Sequence, residues 1–483
     1  MHKPQQSLIF VILIFLVLGL LSFTFPKDGI IISSSLKLEF PSFNTLFEEK
    51  TKEKEVSKII SSLNEIDTTF AINDTLAAPT ATTLNKTEKD STVKLITSIQ
   101  TTNKSALHNF FNALTELKTN PKAIRVLHYG DSQIEGDRIT DYLRLKLQGQ
   151  FGGHGPGLIS LMPIAPSVIN KINIGPGWDR YNVFTSKDKR VPHSNYGVLA
   201  SFNRFSNYKK VNDSSSLVTS SITITTTKLG GSNALAYKKL KLFYGGAQTK
   251  TWCEFYDGPA LIAADSLDEG GSFRIKEYNV GNGSNTHQLK FTGKDSPDFY
   301  AVSLESETGV LVDNIALRGS SGTFFHQINN GQLKQFYDYL NVKLIILQFG
   351  GNATPSIKDE KMSANYASYL RSQISIIKKA APNASILFIG PADMSVKNGT
   401  EYETYPLLET TRNEIKRVVL ESGCAFFDMY DCMGGKNSMP VWVDQKLAAT
   451  DYIHFSPQGA RKMATLLYSA LINDYNSYLK SKK

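Results

Sequence analysis

The stretch VLHYGDSQIEGDRIT, residues 126–140, is where a strand pattern changes into a helix pattern. Its apolar beginning predicts a buried strand, and the charged residues at its end predict the start of a helix. Between them stands Gly130-Asp131-Ser132, a turn that would hold the serine side chain out at the edge of a sheet. Whether Ser132 acts as a nucleophile then depends on which other groups the chain brings to that edge.

Strand and helix patterns alternate around this stretch and again in the last third of the chain. Apolar runs such as VKLIILQFGGN (342–352) and ASILFIGPAD (384–393) are separated by amphipathic segments such as GQLKQFYDYL (331–340). This alternation predicts an α/β fold, in which helices cover both faces of a parallel sheet. We assign two segments to this domain, residues 106–165 and 302–483.

Residues 166–301 have a different composition. Short runs rich in Thr and aromatic residues, among them SITITTTKL and TWCEFYDG, are separated by Gly, Asn, Asp and Ser. Such runs are typical of an antiparallel β-sandwich, which the chain order makes an insertion within the α/β domain. Residues 28–105 are rich in Ser, Thr, Lys and Asn. They predict a flexible tether, because this composition cannot bury enough apolar surface to fold alone.

The N-terminus carries an uncharged apolar run from Leu8 to Phe25, preceded by Lys3. Its length is close to the ~20 residues that a membrane-spanning helix needs. No clear small-residue cleavage site follows it, so residues 1–27 are predicted to be an uncleaved signal anchor, with a cleaved signal peptide as the alternative. The expected location is the cell envelope, with the chain anchored in the cytoplasmic membrane and its catalytic part in the periplasm or outside.

Charge and cysteine usage bear on possible partners. The net charge is +9, from 53 Lys+Arg and 44 Asp+Glu, but no basic block stands out, so no nucleic-acid partner is predicted. No metal-binding spacing such as CxxC or HExxH occurs, and neither a metal nor a cofactor is predicted. Cys424 and Cys432 either pair with each other or are, like Cys253, buried thiols.

A serine nucleophile needs a base to take its proton and donors to stabilise the oxyanion. The stretch ATDYIHFSPQGA supplies Asp451 and His454, three residues apart, so one turn can bring the carboxylate to the imidazole. Asn352 follows a predicted strand, and its side-chain amide is a candidate oxyanion donor. The backbone N–H groups of Gly319 and Ser132 are the other candidates. Taken singly, each of these residues also fits a capping or turn role.

In chain order, GDSQ with Ser132, NIALRGSSG with Gly319, FGGNA with Asn352 and DYIHFSPQG with Asp451 and His454 resemble the four blocks of the SGNH (GDSL-type) hydrolase superfamily. The resemblance implies a flavodoxin-like three-layer α/β/α fold and the hydrolysis or transfer of acyl groups on esters, without a metal. It also implies residue roles. Ser132 would be the nucleophile, Asp451 and His454 the acid–base pair, and Gly319 and Asn352 part of the oxyanion hole.

A longer stretch, HYGDSQIEGDRITDYLRLKLQGQFGGHGPGL, resembles bacterial envelope peptidoglycan O-acetylesterase-like proteins. That group also carries a carbohydrate-binding-module-like β-sandwich between its first and second blocks. Several of its members have His where this chain has Gln133, so Gln133 is a candidate substrate contact. His128 and His154 lie close in sequence to the motif and are candidates for a structural or a substrate-contacting role. Aromatic rings can stack on sugars or fill a core, which makes candidates of four residues in the insertion: Trp252, Tyr244, Tyr256 and Tyr278.

Three functions remain open on this basis. The leading hypothesis is an exported, membrane-anchored serine esterase that removes O-acetyl groups from an envelope polysaccharide. The second is an O-acetyltransferase that uses the same site with a membrane-bound acyl-donor protein, because water and a sugar hydroxyl can both attack an acyl-enzyme. The third is a glycan-binding protein with a silent hydrolase site. The predicted partners are therefore an O-acetylated envelope glycan and, through the N-terminal segment, the membrane.

Overall fold

The computed structural model of the chain describes residues 4–26, 29–33, 36–38, 40, 53–62, 98–184, 191–208, 216–281, 283–399 and 401–482. The chain divides into two compact units, Met1–Ser62 and Leu63–Lys483. Most of the predicted tether, 28–105, lies outside the described residues.

The first unit begins with α1 (Pro4–Thr24), an apolar and largely exposed helix. Its stretch Gln6–Thr24 is long and apolar enough to cross a membrane, a property that an N-terminal signal sequence shares. The strands β1 (Ile30–Ser33) and β2 (Leu36–Leu38) pair as a hairpin, and a further helix, α2, covers 53–62. Both sequence-based predictions for this segment, anchor and signal peptide, are compatible with such a helix.

The strands of the second unit fall into a parallel sheet, two antiparallel sheets and a small hairpin. In chain order they are β3 (Ile124–Gly130), β4 (Gly157–Ile159), β5 (Asn170–Ile174), β6 (Asp179–Asn182), β7 (Ser201–Arg204), β8 (Val218–Thr226), β9 (Lys239–Gly245), β10 (Thr251–Asp257), β11 (Ala260–Leu267), β12 (Arg274–Asn279), β13 (Thr286–Gly293), β14 (Asp298–Glu305), β15 (Val310–Ala316), β16 (Val342–Gln348), β17 (Ser385–Ile389), β18 (Ser395–Asn398), β19 (Glu401–Thr404) and β20 (Ala425–Phe427).

The α-helices of this unit are α3 (His108–Glu116), α4 (Thr140–Phe151), α5 (Gly231–Leu235), α6 (Asn330–Tyr339), α7 (Glu360–Ala380), α8 (Leu408–Glu421), α9 (Met429–Met433), α10 (Ser438–Asp444) and α11 (Pro457–Ser481). Short 3-10 helices cover Ser132–Asp137, Lys228–Gly230, Phe325–Gln327 and Thr354–Ser356.

The parallel sheet has the strand order β15-β3-β16-β17-β20. Counted along the chain this is the order 2-1-3-4-5 of flavodoxin-like folds. Helices α3, α4 and α11 form one layer on the sheet, and α6, α7 and α8 form the other. Strands β3 and β17 are buried at every position, as expected where helices cover both faces of a sheet. The predicted three-layer α/β/α fold is therefore confirmed.

The two antiparallel sheets have the strand orders β11-β10-β13-β8-β5 and β12-β9-β14-β7-β6, with β4 paired to β14. Apolar side chains from both sheets meet in one buried cluster, which includes Ile222 and Phe291 from the first sheet and Leu242 and Phe299 from the second. The alternation of buried and less buried residues in β8 and β13 is that of strands with one face on a core. This is the inserted β-sandwich of the predicted fold class.

The parallel sheet brings the predicted site residues to one edge. Ala316 at the end of β15 and Gln348 at the end of β16 both pair with Gly130 at the end of β3. The loops that carry Ser132, Gly319 and Asn352 therefore start side by side at the carboxyl edge of the sheet, where ligands of open α/β folds bind.

The cysteines settle one open alternative. Cys253, Cys424 and Cys432 are all buried, reduced thiols. Cys424 and Cys432 therefore do not form a disulfide, and the alternative prediction, that they are buried thiols, is confirmed.

Candidate active site

The turn after β3 is built to hold Ser132 at the sheet edge. Gly130 lies so close to Ile134 that an added Cβ would stand 2.9 Å from the Ile134 Cδ1 atom, so a larger residue does not fit without movement. The Asp131 Oδ1 atom accepts a hydrogen bond from the Gln133 N–H at 2.9 Å and so caps the 3-10 turn that begins at Ser132. Gly136 closes this turn in the left-handed region, with φ of 65°.

Ser132, His454 and Asp451 form one hydrogen-bonded chain. The Ser132 Oγ atom lies 2.8 Å from His454 Nε2, and His454 Nδ1 lies 2.8 Å from Asp451 Oδ2. Because the serine and the carboxylate contact opposite ring nitrogens, the imidazole can accept a proton at Nε2 while Nδ1–H stays bonded to the carboxylate. The structure thus brings Ser132 to the pair Asp451 and His454, although Ser132 and His454 lie 322 positions apart in the sequence, in the arrangement that a serine nucleophile requires.

The Asp451 carboxylate also shapes the loop that carries His454. Its Oδ1 atom accepts hydrogen bonds from the backbone N–H groups of Ile453 at 2.9 Å and His454 at 3.0 Å. Tyr452, which lies between Asp451 and Ile453, has a φ of 59°, which a non-glycine residue rarely adopts. Partial burial of Asp451 opposes its ionisation, but the hydrogen bonds from His454 and Ile453 outweigh it and lower the pKa of the carboxyl below its usual range.

Asn352 and Gly319 lie at the same edge, as predicted, but the Asn352 amide is already engaged. Its Nδ2 atom donates to Asp131 Oδ2 at 2.9 Å and to the Ser320 carbonyl oxygen at 3.2 Å. An oxyanion would therefore have to share or replace one of these bonds. Gly319 is exposed and has a φ of 75°, a conformation suited to glycine in the turn after β15. The oxyanion-hole roles of Ser132, Gly319 and Asn352 stay predictions.

Gln133 lines a cavity beside Ser132, and its side chain also bonds to the loop that carries His454. Its Nε2 atom donates to the Ile453 carbonyl oxygen at 2.7 Å, and its Oε1 atom accepts from the Phe455 N–H at 3.4 Å. The side chain therefore holds the backbone on both sides of His454 and joins the serine turn to the histidine loop. A primary amide can do this because it offers the donor and the acceptor that two flanking peptide groups need, and the substrate contact of Gln133 stays a prediction.

Sequence reasoning missed Arg138, which makes a second link between these segments. Its Nη2 atom donates to the Ser132 carbonyl oxygen at 2.5 Å and its Nε atom to the Glu135 carbonyl oxygen at 3.0 Å. The Phe455 carbonyl oxygen lies 3.5 Å from Nη1. An Arg six residues after the serine gives no signal of this role, because carbonyl contacts depend on the path of the backbone.

Neither His128 nor His154 lines the cavity beside Ser132; His128 has a structural role, and a substrate contact by His154 stays a prediction. His128 lies inside β3, is fully buried, and bonds to Gln348 and Thr140 through its two ring nitrogens. Burial lowers the pKa of His128 to about 4, so the ring is neutral at pH 7. The His154 N–H donates to Ser306 Oγ and the Ser306 N–H to the His154 carbonyl oxygen; Ser306 precedes β15, so His154 lies at the opposite end of the sheet.

Trp252 lies on β10 of the sandwich and is 46% exposed. Tyr256, four positions further along that strand, faces the same side and is partly exposed. Tyr244 and Tyr278 are instead core residues, 1% and 5% exposed, which excludes them as stacking surfaces for a sugar. A substrate role for Trp252 stays a prediction, and its strand belongs to the sandwich rather than to the sheet that carries Ser132.

A cavity of about 180 Å³ opens beside the serine. Ser132, Asn352 and His454 line it, and its deeper wall includes the buried side chains of Phe349 and Met394. A mostly apolar pocket with a few convergent polar groups is the usual form of a small-molecule site. Among the described residues, no group of three or more His, Cys, Asp or Glu side chains could hold a metal ion.

Comparisons with known proteins agree with this geometry. The GDSL-like Lipase/Acylhydrolase family matches residues 280–462, a span that includes Asp451 and His454 and begins after Ser132. The span begins within the sandwich, before β13, and most of the sandwich separates it from the first block. No curated protein matches the chain.

Among solved structures, the chain is similar to a peptidoglycan O-acetylesterase, with 21% identity and a TM-score of 0.61 over 78% of this chain and 99% of that chain. It is also similar to an acetyl xylan esterase, with 15% identity and a TM-score of 0.26 over 34% of this chain and 81% of that one. A family two carbohydrate esterase from Clostridium thermocellum has 10% identity and a TM-score of 0.24, over 64% of this chain and 100% of that one. The first likeness shows a common fold, and the other two are too weak to carry an argument.

Proposed function

Because this chain is an ester-hydrolysing enzyme of the SGNH (GDSL-type) superfamily, we propose that it removes O-acetyl groups from an envelope polysaccharide, with peptidoglycan as the first candidate. The observation that carries the proposal is the continuous bond chain from Ser132 Oγ through His454 to Asp451, with 2.8 Å at both steps. A second candidate, acetyl transfer to a glycan, uses the same chemistry up to the acyl-enzyme.

In the proposed reaction, the Ser132 hydroxyl attacks the acetyl carbonyl carbon while His454 Nε2 takes its proton. Asp451 keeps the imidazole in the correct tautomer and stabilises the cation that forms. The negative oxygen of the tetrahedral intermediate would accept bonds from the Ser132 and Gly319 N–H groups and from Asn352. His454 then protonates the departing sugar alcohol, and water activated by the same ring releases acetate from the serine.

Two observations favour an envelope glycan as substrate. The solved peptidoglycan O-acetylesterase shares the fold along 99% of its own length, so the likeness extends beyond the hydrolase sheet. The helix α1 is apolar enough to direct the chain to a membrane or across it. On this proposal the enzyme works at the outer side of the cytoplasmic membrane, anchored or released there, on acetylated glycan.

The test is acetate release from native O-acetylated peptidoglycan, with other O-acetylated envelope polysaccharides in parallel. Ser132→Ala should lower the rate by at least about 10⁴-fold, because the nucleophile is lost. Ser372→Ala is the matched control, since Ser372 is an exposed helix residue of α7. Substantial turnover by a folded Ser132→Ala protein would refute the mechanism, and p-nitrophenyl acetate hydrolysis without acetate release from any glycan would refute the substrate class.

The same assay separates hydrolysis from transfer. With an isotope-labelled acetyl donor and an unacetylated glycan acceptor, a hydrolase releases labelled acetate, whereas a transferase leaves the label on the sugar. If the wild type leaves more label on the glycan than the Ser132→Ala variant does, the second candidate function, acetyl transfer, is favoured.

A further inference from the structure

A second cavity, of about 100 Å³, lies between the end of β15 and the antiparallel sheets. We call it the basic cavity, because Arg144 from α4 and Arg180 from β6 both line it. Ala316 and the segment Glu135–Asp137 complete its wall on the side of the hydrolase sheet. It is separate from the cavity beside Ser132, but its wall continues from the serine turn.

The basic cavity lies within reach of the proposed reaction. Ala316 pairs with Gly130 on the neighbouring strand, roughly 5 Å away. Gly130 precedes Ser132 by two residues, at most about 7 Å of chain. The cavity therefore begins on the order of 10 Å from Ser132, so a single glycan chain can occupy both places.

Four charged side chains line the cavity: Glu135, Asp137, Arg144 and Arg180. The first three already have ion-pair partners. Arg144 is only 3% exposed, and its Nη2 atom donates to Asp137 Oδ1 at 2.9 Å. Glu135 is paired with Arg318 outside the cavity, at 2.6 Å. The Arg144 Nη1 atom, however, is buried and has no hydrogen-bond partner among the described residues.

The fourth charged side chain, Arg180, has no carboxylate partner among the described residues. It forms no ion pair within the part of the chain that the structure describes, and its buried Nε atom has no hydrogen-bond partner there. Its one polar contact joins Nη2 to Ser201 Oγ at the long distance of 3.5 Å. Burial lowers the pKa of Arg180 from its ordinary value, the sign of a desolvated cation. An unpaired, partly buried guanidinium is costly unless an anion binds it.

We propose that the basic cavity binds a carboxylate of the glycan whose ester reaches Ser132, so that the enzyme prefers acidic over neutral O-acetylated glycans. A planar carboxylate matches a guanidinium with two parallel hydrogen bonds. The nearby Asp137 carboxylate repels a doubly charged phosphate about twice as strongly as a singly charged carboxylate, because Coulomb energy scales with charge. The proposal rests on the proposed function and names the substrate feature that the same enzyme recognises.

Three O-acetylated oligosaccharides test it, each assayed for acetate release by the full chain. One alternates N-acetylglucosamine with N-acetylmuramic acid and has a free lactyl carboxylate. The second carries peptides on that carboxylate, so its free carboxylates belong to the peptide. The third is a neutral chito-oligosaccharide. A higher kcat/KM for either acidic glycan than for the neutral one is expected, and the better of the two identifies the source of the carboxylate.

The variant Arg180→Gln should lower the ratio of kcat/KM for the preferred acidic glycan to that for the neutral glycan by about tenfold, since a charged hydrogen bond is lost. The effect should lie mainly in KM. Arg180→Lys keeps the charge and should recover part of the ratio. Arg274→Gln, in the same sandwich but outside the cavity, should leave it unchanged. Added salt should lower the ratio for the wild type more than for Arg180→Gln.

The melting temperature of the Arg180→Gln variant shows whether Arg180 serves to bind a ligand or to stabilise the fold. Removing an unpaired cation should leave the melting temperature unchanged or raise it, whereas a lower melting temperature of Arg180→Gln would show that the guanidinium supports the fold. Equal kcat/KM for acidic and neutral glycans, or a ratio unaffected by Arg180→Gln, would overturn the proposal.

Failure of the proposed function has a different signature. If no glycan releases acetate while p-nitrophenyl acetate is hydrolysed, the substrate class is wrong and the cavity is tested by ligand binding alone. Free N-acetylmuramate should then raise the melting temperature of the wild type more than that of Arg180→Gln. Equal shifts in the two proteins would overturn the carboxylate site itself.

Discussion

Asp131 precedes Ser132, and its carboxyl contacts Asn352, the candidate oxyanion donor. It is 4% exposed and accepts hydrogen bonds at 2.9 Å from Gln133 N and from Asn352 Nδ2. Burial raises the pKa of Asp131 to about 6, although these hydrogen bonds and the neighbouring His454 act in the opposite direction. Above that pH, the ionised carboxylate holds the Asn352 amide in place.

The variant Asp131→Asn should lower kcat on p-nitrophenyl acetate by about 10²-fold, the size of effect known for loss of one oxyanion donor. The new NH₂ group would face the Asn352 NH₂ group, and two donors cannot bond to each other. Asp141→Asn is the control, because burial also raises the pKa of the Asp141 carboxyl to about 6 but Asp141 lies on α4. An Asp131→Asn enzyme with the kcat of the wild type would show that this contact does not position Asn352.

The same carboxyl makes stability depend on pH. Its pKa in the folded chain lies above the unfolded value of about 3.9, so the folded state binds the proton more tightly. The stabilisation is complete below pH ~4 and is lost as the pH rises through about 6, a change of roughly 3 kcal/mol for this group. Urea unfolding between pH 4 and 7 should show a smaller fall for Asp131→Asn than for the wild type. Parallel curves would contradict the assignment.

At the scale of elements, the hairpin of β18 and β19 supports the loop that carries His454. The rings of Tyr402 in β19 and Tyr452 in that loop are parallel, with centroids 3.6 Å apart. The Ser395 N–H, at the start of β18, donates to the Tyr452 carbonyl oxygen at 2.9 Å. These contacts offset the cost of the left-handed backbone at Tyr452, so that the Asp451–His454 turn persists.

We therefore expect Tyr402→Ala to lower kcat by about tenfold, since an aromatic pair contributes about 0.5–1.5 kcal/mol beyond area burial. Tyr402→Phe keeps the ring and should retain most of the activity. KM for p-nitrophenyl acetate should change less than kcat, because the ring acts on the histidine loop and not on the ester. Equal losses in the Ala and Phe variants would point to the hydroxyl group and not to stacking.

At the scale of the whole molecule, the sandwich and the hydrolase sheet share a core. One buried cluster contains Tyr129 of β3, Phe202 and Tyr300 of the sandwich, and Phe336 of α6. A cluster of charged side chains also connects the sandwich with the hydrolase sheet. Arg125 of β3 bonds to Asp313 of β15 at 2.9 Å and also to Glu305 of β14. The two parts should therefore unfold together, in one cooperative transition.

The variant Arg125→Met should lower the free energy of unfolding by roughly 3–5 kcal/mol, because it leaves the Asp313 carboxylate buried without its paired cation. Glu305 keeps its ion pair with Lys241, at 2.8 Å. Guanidinium unfolding followed by tryptophan fluorescence and by circular dichroism measures this. Arg417→Met removes an exposed ion pair of α8 and should change little. A second transition, with one part of the chain unfolding first, would contradict the shared core.

Local patterns in the sequence determined the strands and helices of the hydrolase domain and the residue types of its reaction. Continuous apolar runs such as 342–348 mark strands that are covered on both faces, because such strands need no polar side. Asp451 and His454 could be paired from their spacing, because one turn sets both side chains. Ser132 could be chosen from its place after a strand.

Tertiary structure alone decided what surrounds those residues. His128 and Gln133 stand close to Ser132 in sequence, yet one is sealed inside the sheet and the other bonds to Ile453. The residues that surround Arg180 likewise depend on how the sandwich packs against β15. Contacts between segments hundreds of residues apart follow from the packing of whole elements, and no local pattern of residues encodes which backbone group a side chain will meet.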